Sequence, residues 1–530
     1  MKSFKLFSGT LFFGVVTLLT VGTVASTALA QMPDDNTLII AQSVDTSTMD
    51  PAAIGSRPGS NISKHIWASL LETTSDGEIL PYLAESYEFS DDGTEVIFTL
   101  REGLTCHDGE ALTAEDVAYT FNRAKDPDNA FTGNTPGFIF SSLGFEEAVA
   151  DDDLTVRIIN SRYQSIAPGL IAEVLIHCQD SYAAMSLEEA AEMPIGSGPY
   201  RFVEWIKDDR MVLERVEDFD LRPNSFDTII WRVIPEASTR AAELIAGNVD
   251  IIANVSPDQA DAVNASGAAE VQAVQGTRRI YIGFNLAPEF AEASDGGMAI
   301  QDTDVRVAIQ YAIDVPTICA SLLGTDCTRA TGLVNPPNDN PNLEPYPFDP
   351  ELAETLLDEA GYPRGDDGVR FTLTLQSPNN RYLNDANVAL AVGQYLTDVG
   401  IETEVELMDF ASVYVPLIRQ KQAGPLFLLG SGGGTWNALY DMADLSAPDA
   451  GTNYTNWQNG DWFTLWNSLA DIRDATAERE VINEMLSVFY NDPPWLMMYF
   501  QPDFYGVSTR LDWQARRDEK IIVYDAALAN

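Results

Sequence analysis

Two arginines stand out in a chain that carries 31 lysine and arginine side chains against 80 aspartates and glutamates. Arg57 lies in Ala52-Ala53-Ile54-Gly55-Ser56-Arg57-Pro58-Gly59-Ser60-Asn61, directly after Met49-Asp50-Pro51, and Arg381 follows Pro378-Asn379-Asn380. A guanidinium is a rigid planar fork that can grip a carboxylate through two parallel hydrogen bonds. Each arginine either grips a solute carboxylate in this way, with Ser60 and Asn61 as further polar contacts beside Arg57, or forms an ordinary surface ion pair. The second place with suitable chemistry is Gly430-Ser431-Gly432-Gly433-Gly434-Thr435-Trp436-Asn437-Ala438-Leu439-Tyr440. Its glycines let a backbone approach a ligand closely, and Trp436 and Tyr440 offer flat apolar faces with polar tips, with Asn437 between them. The alternative is a glycine-rich turn ahead of a core tryptophan. Tyr454 and Trp457 offer more stacking surface, unless Trp457 joins Trp462 and Trp466 in the core.

Reaction chemistry leaves no comparable trace. There are three histidines, His65, His107 and His177, and they are not clustered. The chain has no Gly-x-Ser-x-Gly elbow, no His-Glu-x-x-His, no phosphate-binding Gly-x-x-x-x-Gly-Lys-Ser/Thr and no Gly-x-Gly-x-x-Gly. With 80 carboxylates, accidental acid pairs are expected, so they do not argue for glycoside hydrolysis. The expectation is a binding protein that catalyses nothing and uses no cofactor or metal. The alternatives are a sensory or chaperone-like binding module and, after these, a secreted hydrolase. The formal charge of −49 excludes nucleic acid as a partner, because phosphate binding needs a basic face. The acidity either steers a cationic solute towards the protein or serves general solubility.

The elements around these residues begin with a leader. Lys2 and Lys5 give a positive start, Leu11 to Val24 is apolar and Ala28-Leu29-Ala30 is a small-residue cleavage pattern. Residues 1–30 are therefore expected to be a signal peptide cut before Gln31, with no cysteine following to take a lipid. A soluble, monomeric periplasmic protein without stable membrane insertion is expected, since no second segment is long and apolar enough to span a bilayer. In an oxidising compartment the four cysteines should form disulfides. Cys319 and Cys327 close a short loop and are expected to pair, which leaves Cys106 with Cys178. Such bridges contribute roughly 2–4 kcal/mol each.

About 500 residues after the leader exceed what one core supports, so at least two domains are expected. Strands are expected at Leu38–Ala41, Val96–Leu100, Leu154–Ile159 and Ile230–Ile234, and a hairpin at Arg201–Trp205 with Met211–Arg215. Thr113 and Asp116 stand at N-cap and N3 spacing before Val117, Tyr119 and Phe121 and predict a helix start. This places His107-Asp108-Gly109 on a strand-to-helix connection, where His107 is either a ligand contact or a turn histidine bonded to local backbone.

The window from Pro81 to Val117 carries more than local structure. Pro81, Leu83-Ala84, Asp92-Gly93, Phe98, Leu100-Arg101, Gly103, His107-Asp108-Gly109, Leu112-Thr113-Ala114 and Asp116-Val117 resemble the signature of the family 5 extracellular solute-binding proteins that feed peptide/nickel-type ABC importers. Gly196-Ser197-Gly198-Pro199-Tyr200, Tyr281 to Asn285, Asp304 to Asp314, Asp349 to Tyr362 and Pro494 to Phe500 match further landmarks, so the resemblance covers residues 36–530. It implies an α/β fold of two lobes, of the type II periplasmic-binding-protein kind with an enlarged first lobe. A ligand cleft would lie between lobe I (32–283 plus 503–530) and lobe II (284–502). The implied function is delivery of a peptide-like, opine-like or sugar solute to an inner-membrane ABC permease. Peptide-binding relatives carry an aspartate that receives the peptide amine in a Trp-x-x-Asp-Tyr stretch; here Leu439 stands at that position between Trp436 and Tyr440. A free α-amine would then lack its charged partner, and Asp441 is expected to point elsewhere.

Overall fold

The computed structural model describes residues 36–336, 338–379, 381–432 and 437–529. The expected signal peptide, Asn380 and Trp436 with Gly433, Gly434 and Thr435 lie outside the described residues.

A single ten-stranded sheet runs through the molecule. Its strands are β1 (Thr37–Gln42), β2 (Tyr200–Ile206), β3 (Arg210–Arg215), β4 (Thr228–Val233), β5 (Ile251–Ile252), β6 (Ala269–Phe284), β7 (Phe371–Asn379), β8 (Ile401–Asp409), β9 (Leu426–Gly432) and β10 (Trp495–Ser508). Their spatial order is β8-β7-β9-β6-β10-β5-β1-β4-β3-β2. The strands expected at Leu38, Leu154 and Ile230 and the β2–β3 hairpin are all present. The landmark segments at Tyr281 and Pro494 belong to much longer strands, because polar residues such as Gln272, Gln275 and Arg278 interrupt the apolar run that marks a strand in the sequence.

β6 and β10 pair antiparallel along nearly their whole length, from Ala269 opposite Ser508 to Gly283 opposite Trp495. At one end β10 also pairs with β5, through Ile251 opposite Val507; at the other β6 pairs with β9, from Arg278 opposite Gly432 to Phe284 opposite Leu426. The ladder slips between Gln275 and Arg279. Gly276 lies in this slip, where a Cβ would collide with the Asp503 carboxylate and the Gln501 carbonyl. The slip re-aims the two residues that follow, Arg278 and Arg279, as bulges do elsewhere in sheets.

One apolar core, with Ile40, Trp231 and Val507, packs at the β1–β4 end of this sheet. Another, with Ile282, Leu375, Val392 and Leu428, packs at the β7–β9 end. A second sheet, ordered Ala84–Phe89, Glu95–Leu100, Thr155–Asn160, Phe145–Ala150, enlarges the N-terminal part. Helix α2 (Ala114–Lys125) covers this sheet. Its Thr113 cap and N3 Asp116 satisfy each other's backbone donors as the spacing predicts. His107 is a turn residue: one ring nitrogen lies 2.9 Å from the Gly198 carbonyl and the other accepts from Gly196 N–H at 3.3 Å. It ties the signature loop to the Gly-x-Gly-Pro-Tyr stretch. The disulfides pair as expected, with Cα–Cα distances of 6.2 Å for Cys106–Cys178 and 5.8 Å for Cys319–Cys327.

Candidate functional site

Helix α1 (Arg57–Ile66) forms one wall of a cavity of about 300 Å³. Ser56 caps the helix by accepting from Gly59 N–H, and Pro58 sits in the first turn, where a missing N–H costs nothing. Arg57, Ser60 and Lys64 line the cavity, one turn apart along a single helix face. The Ser56 cap and Pro58 make Arg57 to Asn61 the start of a helix. The opposite wall is Ser431 and Gly432 at the end of β9, Tyr440 of helix α3 (Ala438–Met442) and Asp444 just beyond it. Arg279 reaches in from β6 between the two walls.

The charged groups around this cavity differ sharply in how well they are partnered. Lys64 pairs with Glu173 at 3.2 Å, and Lys520 approaches the same carboxylate at 2.8 Å. Burial alone would raise the pKa of Glu173, but these two ammonium groups pull it down to about 2. Arg279 is almost sealed off, with 2% of its side chain exposed, and lies 2.6 Å from Asp441 and 3.6 Å from Asp444. It also donates to Ser431 Oγ at 2.8 Å, and Ser431 in turn donates to Asp444 at 2.6 Å. Asp441 takes a further hydrogen bond from the Asn335 N–H at 2.9 Å. Burial raises the pKa of both Asp441 and Asp444, and the Arg279 charge opposes it.

Arg57 is in the other condition. Its one ion pair within 4 Å among the described residues is with Glu519, at 3.9 Å; the carboxylates of Glu173, Asp503 and Asp518 feel its charge from further off, and its buried Nε has no hydrogen-bond partner. Glu519 is already held by Arg278 through two bonds of 2.7 and 2.6 Å. Arg57 therefore offers a fork to the cavity that the protein leaves nearly unused.

The remaining sequence candidates divide. Ser60 and Tyr440 line the cavity, whereas Asn61 is buried behind α1, its Oδ1 accepting from the Ile521 N–H at 3.2 Å. Asn437 caps α3, accepting from Leu439 N–H at 2.8 Å. Arg381 stands over the rings of Tyr382 and Phe410, at 5.0 and 5.2 Å, and feels the charges of Arg278 and Glu519. Tyr454 sits close enough to Asp444 that its phenol pKa, raised first by burial, is raised further by that charge. Trp457 does not reach the cavity: it is buried, donates to Asp492 at 2.9 Å and packs edge-on to Trp462 and Phe489. The core alternative is the correct one for it. Leu439 is likewise buried in the core, so its side chain neither offers nor denies anything to a solute. Two carboxylates line the cavity, Asp444, five residues on, and Glu173, which Lys64 and Lys520 already hold.

Sequence reasoning missed Arg279, Asp444, Lys64 and Glu173. The one available signal was Arg278-Arg279 ahead of an apolar crossing strand, an expensive placement that requires partners.

Residues 78–453 match the family model described as "Bacterial extracellular solute-binding proteins, family 5 Middle". The chain belongs to that family. Among curated relatives, the glutathione-binding protein GsiB of Pectobacterium atrosepticum is 26% identical over 470 residues, spanning 87% of this chain and 88% of that one. Heme-binding protein A of Haemophilus influenzae is 26% identical over 463 residues, spanning 82% and 81%. The crystal structure of the ABC transporter substrate-binding protein CtaP of Listeria monocytogenes superposes with a TM-score of 0.80 at 22% identity, covering 94% of this chain and all of that one. The two-lobe α/β fold implied by the Pro81–Val117 signature is thus the fold of this family-5 chain, and its role is solute binding for ABC import.

Proposed function

We propose that this protein captures a small peptide-like solute bearing a free carboxylate, which Arg57 receives, and presents it to an inner-membrane ABC permease. A cavity of about 300 Å³ is at the small end of ligand sites and suits roughly two or three residues of peptide. The observation that carries the reading is the Arg57 fork, which lines the cavity with one long ion pair, 3.9 Å from a Glu519 carboxylate that Arg278 already holds. Asp444 on the facing wall supplies a carboxylate for an ammonium group, so a zwitterion can be bound although Leu439 replaces the family's aspartate. Glutathione, named for one relative, is a solute of this kind.

On this reading the lobes are 32–283 with 503–530, and 284–502, with β6 and β10 as the hinge. Ser60, Tyr440 and Trp436 join Arg57 in contacting the solute. The protein acts as a periplasmic monomer after loss of residues 1–30, without a lipid, and transforms nothing. Titration calorimetry with tri-alanine and its C-terminal amide tests the proposal. The free acid should bind at least about tenfold more tightly, the scale of one charge-assisted hydrogen-bonded pair. Equal affinities, or release of a neutral sugar from the purified protein in native mass spectrometry, would overturn it.

A further inference from the structure

A second cavity, of about 400 Å³, lies next to the first. One side comes from Gly137, Ser141 and Ser142 and from Arg162 with Gln164; the other comes from Ser446, Gly451 and Thr452. Phe138 lines both cavities, and its ring meets that of Tyr440 edge-on at 4.8 Å. The short turn Ala443–Leu445 is shared in the same way: Ala443 faces the second cavity and Asp444 the first. The two spaces are therefore successive parts of one cleft, separated by an aromatic pair with one ring from each wall.

Arg162 gives the second space its chemistry. In the amide orientation that satisfies both groups, Gln164 accepts from Arg162 Nε at 2.7 Å and from Nη2 at 3.1 Å. No carboxylate pairs with Arg162 among the described residues, and burial lowers its pKa with no acidic neighbour opposing it. Two other buried arginines are held by backbone, Arg329 donating to four carbonyls and Arg240 to three. In a chain with 80 acidic side chains, a half-buried guanidinium that faces a cavity and is held, among the described residues, only by a neutral amide can receive an anion. Ser141, Ser142, Ser446 and Thr452 line the same space and add hydroxyl groups to it.

We propose that this second cavity is a subsite for an acidic side group of the solute, whose carboxylate docks on Arg162 while the main carboxylate docks on Arg57. The proposal rests on the peptide-like reading of the first cavity and narrows it to solutes with two carboxylates.

The test compares alanine tripeptides carrying one glutamate at the first, second or third position with their glutamine counterparts, by titration calorimetry. Every probe keeps its terminal carboxylate, so only the side group differs. The wild-type protein should prefer the glutamate peptide by about tenfold at one of the positions. That ratio should fall towards one in Arg162→Gln. It should fall likewise in Gly137→Leu, which fills the cavity from a position where a Cβ meets nothing within 4 Å and which controls for any misfolding of the arginine variant. A wild-type protein that binds both series equally, or a preference that survives both substitutions, overturns the subsite and leaves the first cavity's reading intact. A wild-type protein that binds neither series overturns the first reading, and the subsite with it.

Discussion

Helix α1 and strand β6 each present an arginine to the same cavity, and the two are in opposite states. Arg279, on β6, has two carboxylates and a hydroxyl around it and is 2% exposed. Arg57, at the start of α1, is 29% exposed and has one carboxylate at 3.9 Å, already claimed by Arg278. The same side chain is thus a structural tie in one place and a receiver in the other. Partnering decides this, and lining a cavity does not. A buried charge must be compensated before the chain can fold, so Arg279 is committed beforehand. A half-exposed charge keeps part of its hydration and can exchange it for a solute.

The largest effect should come from breaking the committed arginine. Arg279→Met would leave Asp441 and Asp444 buried without a cation, and removing one partner of a buried pair typically costs about 3–5 kcal/mol. Urea unfolding followed by tryptophan fluorescence should show a loss of that order. A loss below about 1 kcal/mol would mean that the pairing in the folded chain is not what holds this wall, since that is the scale of exposed pairs.

Arg57→Gln should do the reverse. Its ion pair with Glu519 is long and shared, so the unfolding midpoint should move little, while affinity for a carboxylate-bearing peptide should fall about tenfold or more. Calorimetry and a melt on the same sample separate the two terms. A variant that loses stability but keeps its affinity would exchange the roles assigned to the two arginines.

The sequence carried the frame of this molecule well and its site in part. Thr113 with Asp116, the β2–β3 hairpin and both disulfides depend on neighbours close in sequence, or on cysteines few enough to pair, and were legible. Arg57, Ser60 and Tyr440 were legible as candidates and line the first cavity, because an arginine and an aromatic near glycines are unusual enough to stand out. Arg279 and Asp444 were not, because their meaning depends on a ladder slip 152 residues away in sequence from Ser431. Trp457 misled for the converse reason: nothing local shows that Asp492 will accept its N–H and that Phe489 will close over its face.

That ladder slip also carries a pH-dependent prediction. Asp503, on β10 beside Gly276, has one oxygen buried with no hydrogen-bond partner, and Gln501 reaches the other at 3.5 Å. Burial, and then the Glu519 charge, push its pKa up from 3.8 to about 8, against the pull of Arg278 and Arg57. An acid whose pKa rises on folding is held more firmly protonated in the folded chain than in the unfolded one. Its favourable contribution is complete below pH 3.8 and is lost progressively as pH rises to about 8. Asp503→Asn, which keeps the size and removes the charge, should match the wild type in melting temperature at the acid end of that window. It should exceed the wild type by a growing margin as pH rises, up to a few degrees. A margin that stays constant with pH would show that Asp503 titrates normally.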